Sequence, residues 1–407
     1  MPTTSSFFST IPMGASVEVT EMCREYQLDK NPLKANLSIG GYYGEDGDIY
    51  KFRVVTKAER ELIQSPNHSY LPPNGIPELN HAVFKLAFGE SEEAWKHGFC
   101  VQSIGGTGPL RLGAEFLREH LDLKTAYYSD PTWINHKHIF ERAGFTQVEP
   151  YPYWNYDTYE IDFEKLCHFL KFEAKEKSVI ILHASVHNPT GMNLSKEQWK
   201  IVRDIVRERA LFPFFDLAYH GFGDGGLNED SFPLRLFKSS NIEFFVSQSF
   251  GKNLGLYGER IGFLSGSIND ENSIPKIYSQ MINVSRPMYS NPARYGAAIL
   301  AKVLLDPSNF ASWVQELKEV RERLRLIRKQ MKNNLDKLAP HVNWSGITQQ
   351  TGMFYFSNLE KKQGLQLKED FHVYILPSSG RINLGGINSN NIDYVCQSLA
   401  KIVSIKS

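Results

Sequence analysis

Between residues 80 and 300, short apolar runs alternate with stretches of helical periodicity. The runs at 99–103, 125–129, 179–183, 212–216, 244–249 and 260–265 are mostly dense in Phe, Val, Ile or Tyr. They are too short for helices and read as strands. Helical patterns such as 196–209 lie between several of them. This alternation predicts an α/β fold with a mostly parallel sheet covered on both faces. The pattern then changes. From 308 to 338, apolar residues recur at Trp313, Leu317, Val320, Leu324, Ile327, Met331, Leu335 and Leu338. Steps of three and four describe one long amphipathic helix, read as a bridge between domains with a solvated charged face. Short strands and a last helix over 390–402 suit a smaller α+β domain. No internal repeat or low-complexity tract interrupts the chain.

Composition narrows the classes. The 407 residues suffice for two domains, or for one large domain with an appendage. Lys plus Arg (45) balances Asp plus Glu (45), which argues against a nucleic-acid footprint or an anionic membrane surface. Any phosphate must therefore be held by local geometry. Cys23, Cys100, Cys167 and Cys396 are far apart and form no CxxC pair, against a zinc site or disulfide framework and in keeping with a reducing compartment. No apolar run approaches the ~20 residues of a membrane helix. The first fourteen residues lack Arg and a long apolar core, so they read as neither signal nor transit peptide. The expected location is cytoplasmic, and no metal is expected.

Candidate chemistry gathers at the C-terminal ends of the strands, where open parallel sheets bind ligands. After 99–103 comes Ser103-Ile104-Gly105-Gly106-Thr107-Gly108, then a helical run over 109–120 that Pro109 suits as first residue. Glycines let backbone N–H groups approach an anion at a helix N-terminus; a purely structural turn is the plain alternative. After 212–215 comes Asp216-Leu217-Ala218-Tyr219. A carboxylate ending a buried strand needs a partner: a pyridinium nitrogen, a metal, an Arg, or the amides of a helix it caps. The third segment runs from Ser249 to Gly262 and holds Lys252 among glycines and apolar residues. A desolvated lysine has a lowered pKa and serves as an amine nucleophile. Ser249, three residues before it, and Arg260, eight after, are candidates to grip a phosphate; a surface-loop lysine is the minority reading.

The run Ser249–Gly262 resembles the lysine-attachment signature of class I pyridoxal-phosphate-dependent aminotransferases, in detail the aspartate aminotransferases. Further segments resemble that family in the expected order. They are 67–72, 105–108, 131–136, 187–191, 214–219, 286–292, 352–354 and 380–383. The resemblance covers the chain from near residue 6 to its end. It implies aminotransferase fold type I: an N-terminal arm (1–16), a large cofactor domain (50–315), and a small domain (17–49 and 316–407) joined by the long helix.

The resemblance also implies roles. Lys252 would hold pyridoxal 5′-phosphate and then move a proton at the substrate α-carbon. Asp216 would keep the ring nitrogen protonated, and Tyr219 and Asn188 would hydrogen-bond the ring oxygen. Trp133 would stack on the ring. Gly105, Gly106, Thr107, Ser249 and Arg260 would hold the phosphate, with Tyr70 reaching in from a second subunit of a homodimer. Arg381 would fork onto the substrate α-carboxylate, and Arg286 of the neighbouring subunit onto a side-chain carboxylate. Gly40 and Phe354 would line the pocket.

The implied reaction is ping-pong transfer of the amino group of L-aspartate to 2-oxoglutarate through the pyridoxamine form. The alternatives are an aromatic or broader substrate preference, or a catalytically weak member acting as a binding protein. Tyr43 stands where the family has Arg, residues 48–53 lack its usual Pro-Trp-apolar run, Gly251 replaces Ser or Ala, and the loop 377–380 is one residue longer than in the cytosolic form. None of these removes a catalytic group.

Overall fold

The computed structural model describes residues 6–89 and 91–404. Residues 1–5 of the expected arm and 405–407 of the expected small domain lie outside the described residues. Seven strands form the central sheet: β1 (Gly98–Ile104), β2 (Thr125–Asp130), β3 (Gln147–Pro152), β4 (Val179–His183), β5 (Phe212–Leu217), β6 (Phe244–Ser249) and β7 (Ile261–Ser267). Their order is β1-β7-β6-β5-β4-β2-β3. β7 runs antiparallel to β1 and β6, and the other pairs are parallel. The expected α/β fold with a mostly parallel sheet is therefore present.

Successive side chains of each strand point to opposite faces, and both faces are apolar. On β5, Phe214 joins a core with Phe245, Leu264 and the helices α1 (Thr107–His120) and α3 (Ile274–Tyr289). Phe215 and Leu217 join the other core, with Phe244, Val246, α2 (Lys196–Glu208) and α4 (Pro307–Leu338). A Ser195–Gln198 capping box starts α2 and an Asp306 side-chain cap starts α4. All the apolar positions expected to line α4 are buried except Leu338 at its end.

The structure corrects several boundaries. β3 was not expected from the sequence. It is an edge strand carrying Pro150 and Pro152, which an edge tolerates because one side of it needs no N–H partner. α1 starts at Thr107, so Pro109 is its third residue; the first turn's N–H groups have no helical acceptors, so the missing donor costs little. Strand β7 starts at Ile261 because Arg260 sits in a left-handed turn (φ +52°). The last helix, α6 (Ile392–Ser404), begins two residues late. Asn388 and Asn391 cap each other's backbone N–H groups and hold the preceding turn.

Near the two ends of the chain, Ala35–Asn36 pairs in parallel with Val373–Tyr374. Phe354–Phe356 pairs antiparallel with Arg381–Asn383. With α5 (Lys361–Phe371) and α6, these short pieces surround the C-terminal part of α4. Residues 6–17 are exposed, Phe7 at 97% and Met13 at 96%.

Candidate active site

One end of the sheet collects the three segments around Gly105, Asp216 and Lys252. The C-terminal ends of β1, β2, β4, β5 and β6 lie there, and so does the start of β7, because β7 runs the other way. Ile261 is opposite Ile104 and Gly262 opposite Ser249, which sets Arg260, Gly105 and Ser249 together. Asp216 is registered with His183 on one side and Ser247 on the other.

Lys252 follows β6, with its Nζ 4.9 Å from the centroid of the Tyr219 ring. Burial lowers its pKa to about 8, aided by the charges of Arg260 and Arg381 and opposed by Asp216. Tyr219 is itself buried, which raises its pKa and keeps the phenol protonated as a donor. Asp216 is no helix cap. Its Oδ2 accepts from His136 Nε2 at 3.1 Å, while the buried Oδ1 has no partner among the described residues. Burial alone would raise the Asp216 pKa. The His136 hydrogen bond and the charges of His136, His183 and Lys252 outweigh it and leave the carboxyl below its ordinary value.

Sequence reading assigned no role to the histidines behind Asp216. The rings of His136, His183 and His187 follow one another at 5.1 and 4.2 Å. Ionised Asp216 can only accept, so His136 Nε2 donates to it, while Thr132 bonds Nδ1 at 2.8 Å. Burial pushes His183 down to about 3, with the charge of His136 adding to it, and lowers His187 well below the ordinary histidine value. His187 is held by Ser129 at 2.8 Å and Thr190 at 2.9 Å and stacks on Tyr153. His136, His183 and Asp216 lie within 4.8 Å, a spacing that suits a cation. Both ring nitrogens of His136 already have protein partners, and this favours a carboxylate support. The available signal was position: His183 ends β4, and His136 and His187 lie in the family-like segments 131–136 and 187–191.

The Gly105 turn packs tightly against Arg260 and β7. Gly105 has φ +59°, and a Cβ there would collide with the Arg260 guanidinium. A Cβ on Gly262 would collide with the Gly105 carbonyl. Close packing thus requires both glycines. Gly106 is the N-cap of α1 and offers no side chain, so the first amides of α1, near exposed Thr107, are open to an anion. Ser249 is buried beside Gly106, and Arg260 donates to the Tyr257 carbonyl at 3.2 Å from the rim.

Arg381 is buried, not on the surface. It donates to Asn188 Oδ1 at 3.2 Å and the Ser38 carbonyl at 2.9 Å, and its guanidinium lies 4.1 Å from the Phe354 ring centroid. Its Nε has no partner among the described residues, and Glu18, whose charge acts on it, holds Ser378 with its carboxylate. Burial lowers its pKa. Phe354 meets the Tyr219 ring edge-on at 5.5 Å, and a Cβ on Gly40 would reach Phe354 at 3.0 Å. Trp133 is half-buried with its ring 5.5 Å from that of His136.

Tyr70 and Arg286 do not join this cluster within the chain. Tyr70 is 88% exposed and Arg286 is exposed on the last turn of α3. The Tyr70 segment is tied to residues just past α3: Arg294 donates to the Ser69 and Tyr70 carbonyls, and Asn291 to that of Leu71.

Residues 33–399 match the family model of class I and II aminotransferases. The chain is 40% identical to the cytoplasmic aspartate aminotransferase of Caenorhabditis elegans, over 99% of each chain. Its fold superposes on the aspartate aminotransferase of Saccharomyces cerevisiae cytoplasm with a TM-score of 0.95 at 33% identity, covering 98% of this chain and 99% of the other. The aromatic-amino-acid aminotransferase of Burkholderia pseudomallei, covalently bound to pyridoxal phosphate, gives 0.94 at 36% identity, covering 98% and 100%.

Proposed function

The chain belongs to the class I and II aminotransferases, and we propose that it reversibly transfers the amino group of L-aspartate to 2-oxoglutarate with pyridoxal 5′-phosphate on Lys252. The observation that carries this reading is the enclosed set of Lys252, Asp216 with its unpartnered Oδ1, and Arg381 with its unpartnered Nε. The residues fit the cofactor. The Gly105–Thr107 turn, Ser249 and Arg260 would hold its phosphate, Trp133 would cover the ring, and Asp216 Oδ1 would take the ring N–H. Bound there, the cofactor supplies an electron sink for the bond broken at the substrate α-carbon and carries the amino group between two half-reactions.

The chain's own groups account for the rest. With its pKa near 8, Lys252 has an appreciable neutral fraction near pH 7, enough to act as nucleophile and then proton carrier. His136 keeps Asp216 oriented and ionised, so a positive ring nitrogen opposite it is stabilised. Tyr219 and Asn188 donate toward the ring oxygen. Arg381, already desolvated over Phe354, forks onto the α-carboxylate. Arg286 and Tyr70, exposed in their own chain, serve the site of a second copy in a homodimer. The relatives named for the cytoplasm support that compartment for this chain as well. The large and small domains divide near residues 50 and 315, with α4 between them.

The test loads purified protein with pyridoxal phosphate, reduces it with borohydride and maps the labelled peptide. Label on Lys252, a visible absorbance band, and turnover with aspartate exceeding that with phenylalanine are expected. Lys252→Ala should lose steady-state turnover. Label on another lysine overturns the assignment.

A further inference from the structure

A buried acid outside the cluster has no part in the chemistry above. Asp230 ends the short helix Gly226–Asp230 and is 5% exposed. Its Oδ2 accepts from the N–H groups of Gly221 at 2.7 Å and Gly223 at 3.2 Å. Those glycines lie two and four residues past Tyr219. A Cβ on Gly223 would collide with Asp230 Oδ1, so the loop closes directly on the carboxylate.

Other elements hold the same loop. From α4, Arg321 donates to the Gly221 carbonyl at 2.9 Å, and its charge acts on Asp230. His220, in the same loop, bonds the Leu227 carbonyl and Ser231, and burial pushes it down to about 4, so it is neutral. Asn253, next to Lys252, donates to the His220 carbonyl at 3.1 Å and is itself bonded by Trp313.

We propose that Asp230 is a positioning residue whose carboxylate, bound by the Gly221 and Gly223 amides, fixes the Tyr219 loop and so sets the hydrogen bond of Tyr219 to the cofactor's ring oxygen. This rests on the reading that Tyr219 meets that oxygen. Burial pushes Asp230 up to about 7, against the Gly221 and Gly223 amides and the Arg321 charge that hold it down. Asp230→Asn removes the charge and keeps an acceptor of the same shape; Asp230→Ala removes both.

The readout is the pH midpoint of the visible absorbance band of the cofactor-loaded enzyme. Tyr219→Phe, Asp230→Ala, Asp230→Asn and Asp230→Ala in the Tyr219→Phe background are compared. Tyr219→Phe should raise the midpoint, because a donor to the ring oxygen is lost. Asp230→Ala should raise it by roughly 0.4–2 pH units, the range expected within one hydrogen-bonded network. Asp230→Asn should restore much of the wild-type value. In the Tyr219→Phe background the Asp230→Ala shift should shrink, since Asp230 acts through that hydroxyl. A full shift there would mean that the charge acts directly on the cofactor and would overturn the proposal. A wild-type midpoint in Asp230→Ala overturns it too. If Asp230→Ala does not fold, Asp230→Ser, whose side chain is too short to accept from both amides, gives the same comparison in the two backgrounds: a smaller shift without Tyr219 supports the role, and an equal or absent shift refutes it. An unmoved midpoint in Tyr219→Phe would instead remove the reading of Tyr219, and the role of Asp230 with it.

Discussion

At the scale of single residues, the site depends on charges placed where water is scarce. An unperturbed lysine stays protonated to about pH 10.4. Lys252 has its pKa lowered to about 8, so its neutral, nucleophilic fraction rises as pH climbs through that value and then levels off. Recapture of pyridoxal phosphate by the apoenzyme should follow the same curve in stopped-flow absorbance. A rate still climbing steeply above pH 9.5 would contradict it. Arg286 tests specificity. Arg286→Asp should disfavour aspartate and glutamate by about 3–5 kcal/mol in kcat/KM, through a lost carboxylate fork and added repulsion. Phenylalanine should suffer far less, and an equal loss across donors would make Arg286 structural. Asp216→Ala should lower kcat by about 10²–10³-fold or more, as expected when a preorganised electrostatic partner is removed. A mild effect in single-turnover assays would deny Asp216 that role.

At the scale of elements, α4 ties the two ends of the fold together through polar contacts as well as apolar ones. The helix Arg53–Ile63 has Phe52 at its N-cap, which offers no side-chain acceptor. Glu316 of α4, 1% exposed, takes that role and accepts from the Arg53 and Val54 amides at 2.6 and 2.9 Å. Glu316→Ala should therefore leave two donors without acceptors and cost about 1–3 kcal/mol, and Glu316→Gln should cost less. Urea unfolding of the two variants checks the order. Three residues along α4, Trp313 binds the Asn253 carbonyl, so the helix also braces the segment that presents Lys252.

At the scale of the whole molecule, the proposed composite site has Tyr70 and Arg286, both exposed in their own chain, completing the site of a second copy. A C2 dimer would place each pair in its neighbour's site. Lys252→Ala and Arg286→Ala homodimers should both transaminate aspartate poorly. A hybrid of the two concentrates both lesions in one site and leaves the other whole. Co-expressed chains with different tags, purified through both, should regain about half the wild-type activity per dimer. A hybrid as inactive as its parents would refute the composite site.

Local pattern was enough for much of this protein. Runs of Phe, Val and Ile mark buried strands, and steps of three and four mark α4, because burial imposes those periods on neighbouring residues. The segment around Lys252 was legible for a similar reason: glycines and a charge in an apolar run conflict unless the charge is used. Tertiary structure decided what no local window contains. Asp216 finds its partner His136 eighty residues earlier in the chain, and Glu316 accepts from the Arg53 and Val54 amides near the other end of the chain. β3 escaped notice because an edge strand is not required to be apolar or free of proline. Pairing between buried polar groups depends on which strand ends become neighbours, and only the order of strands across the sheet sets that.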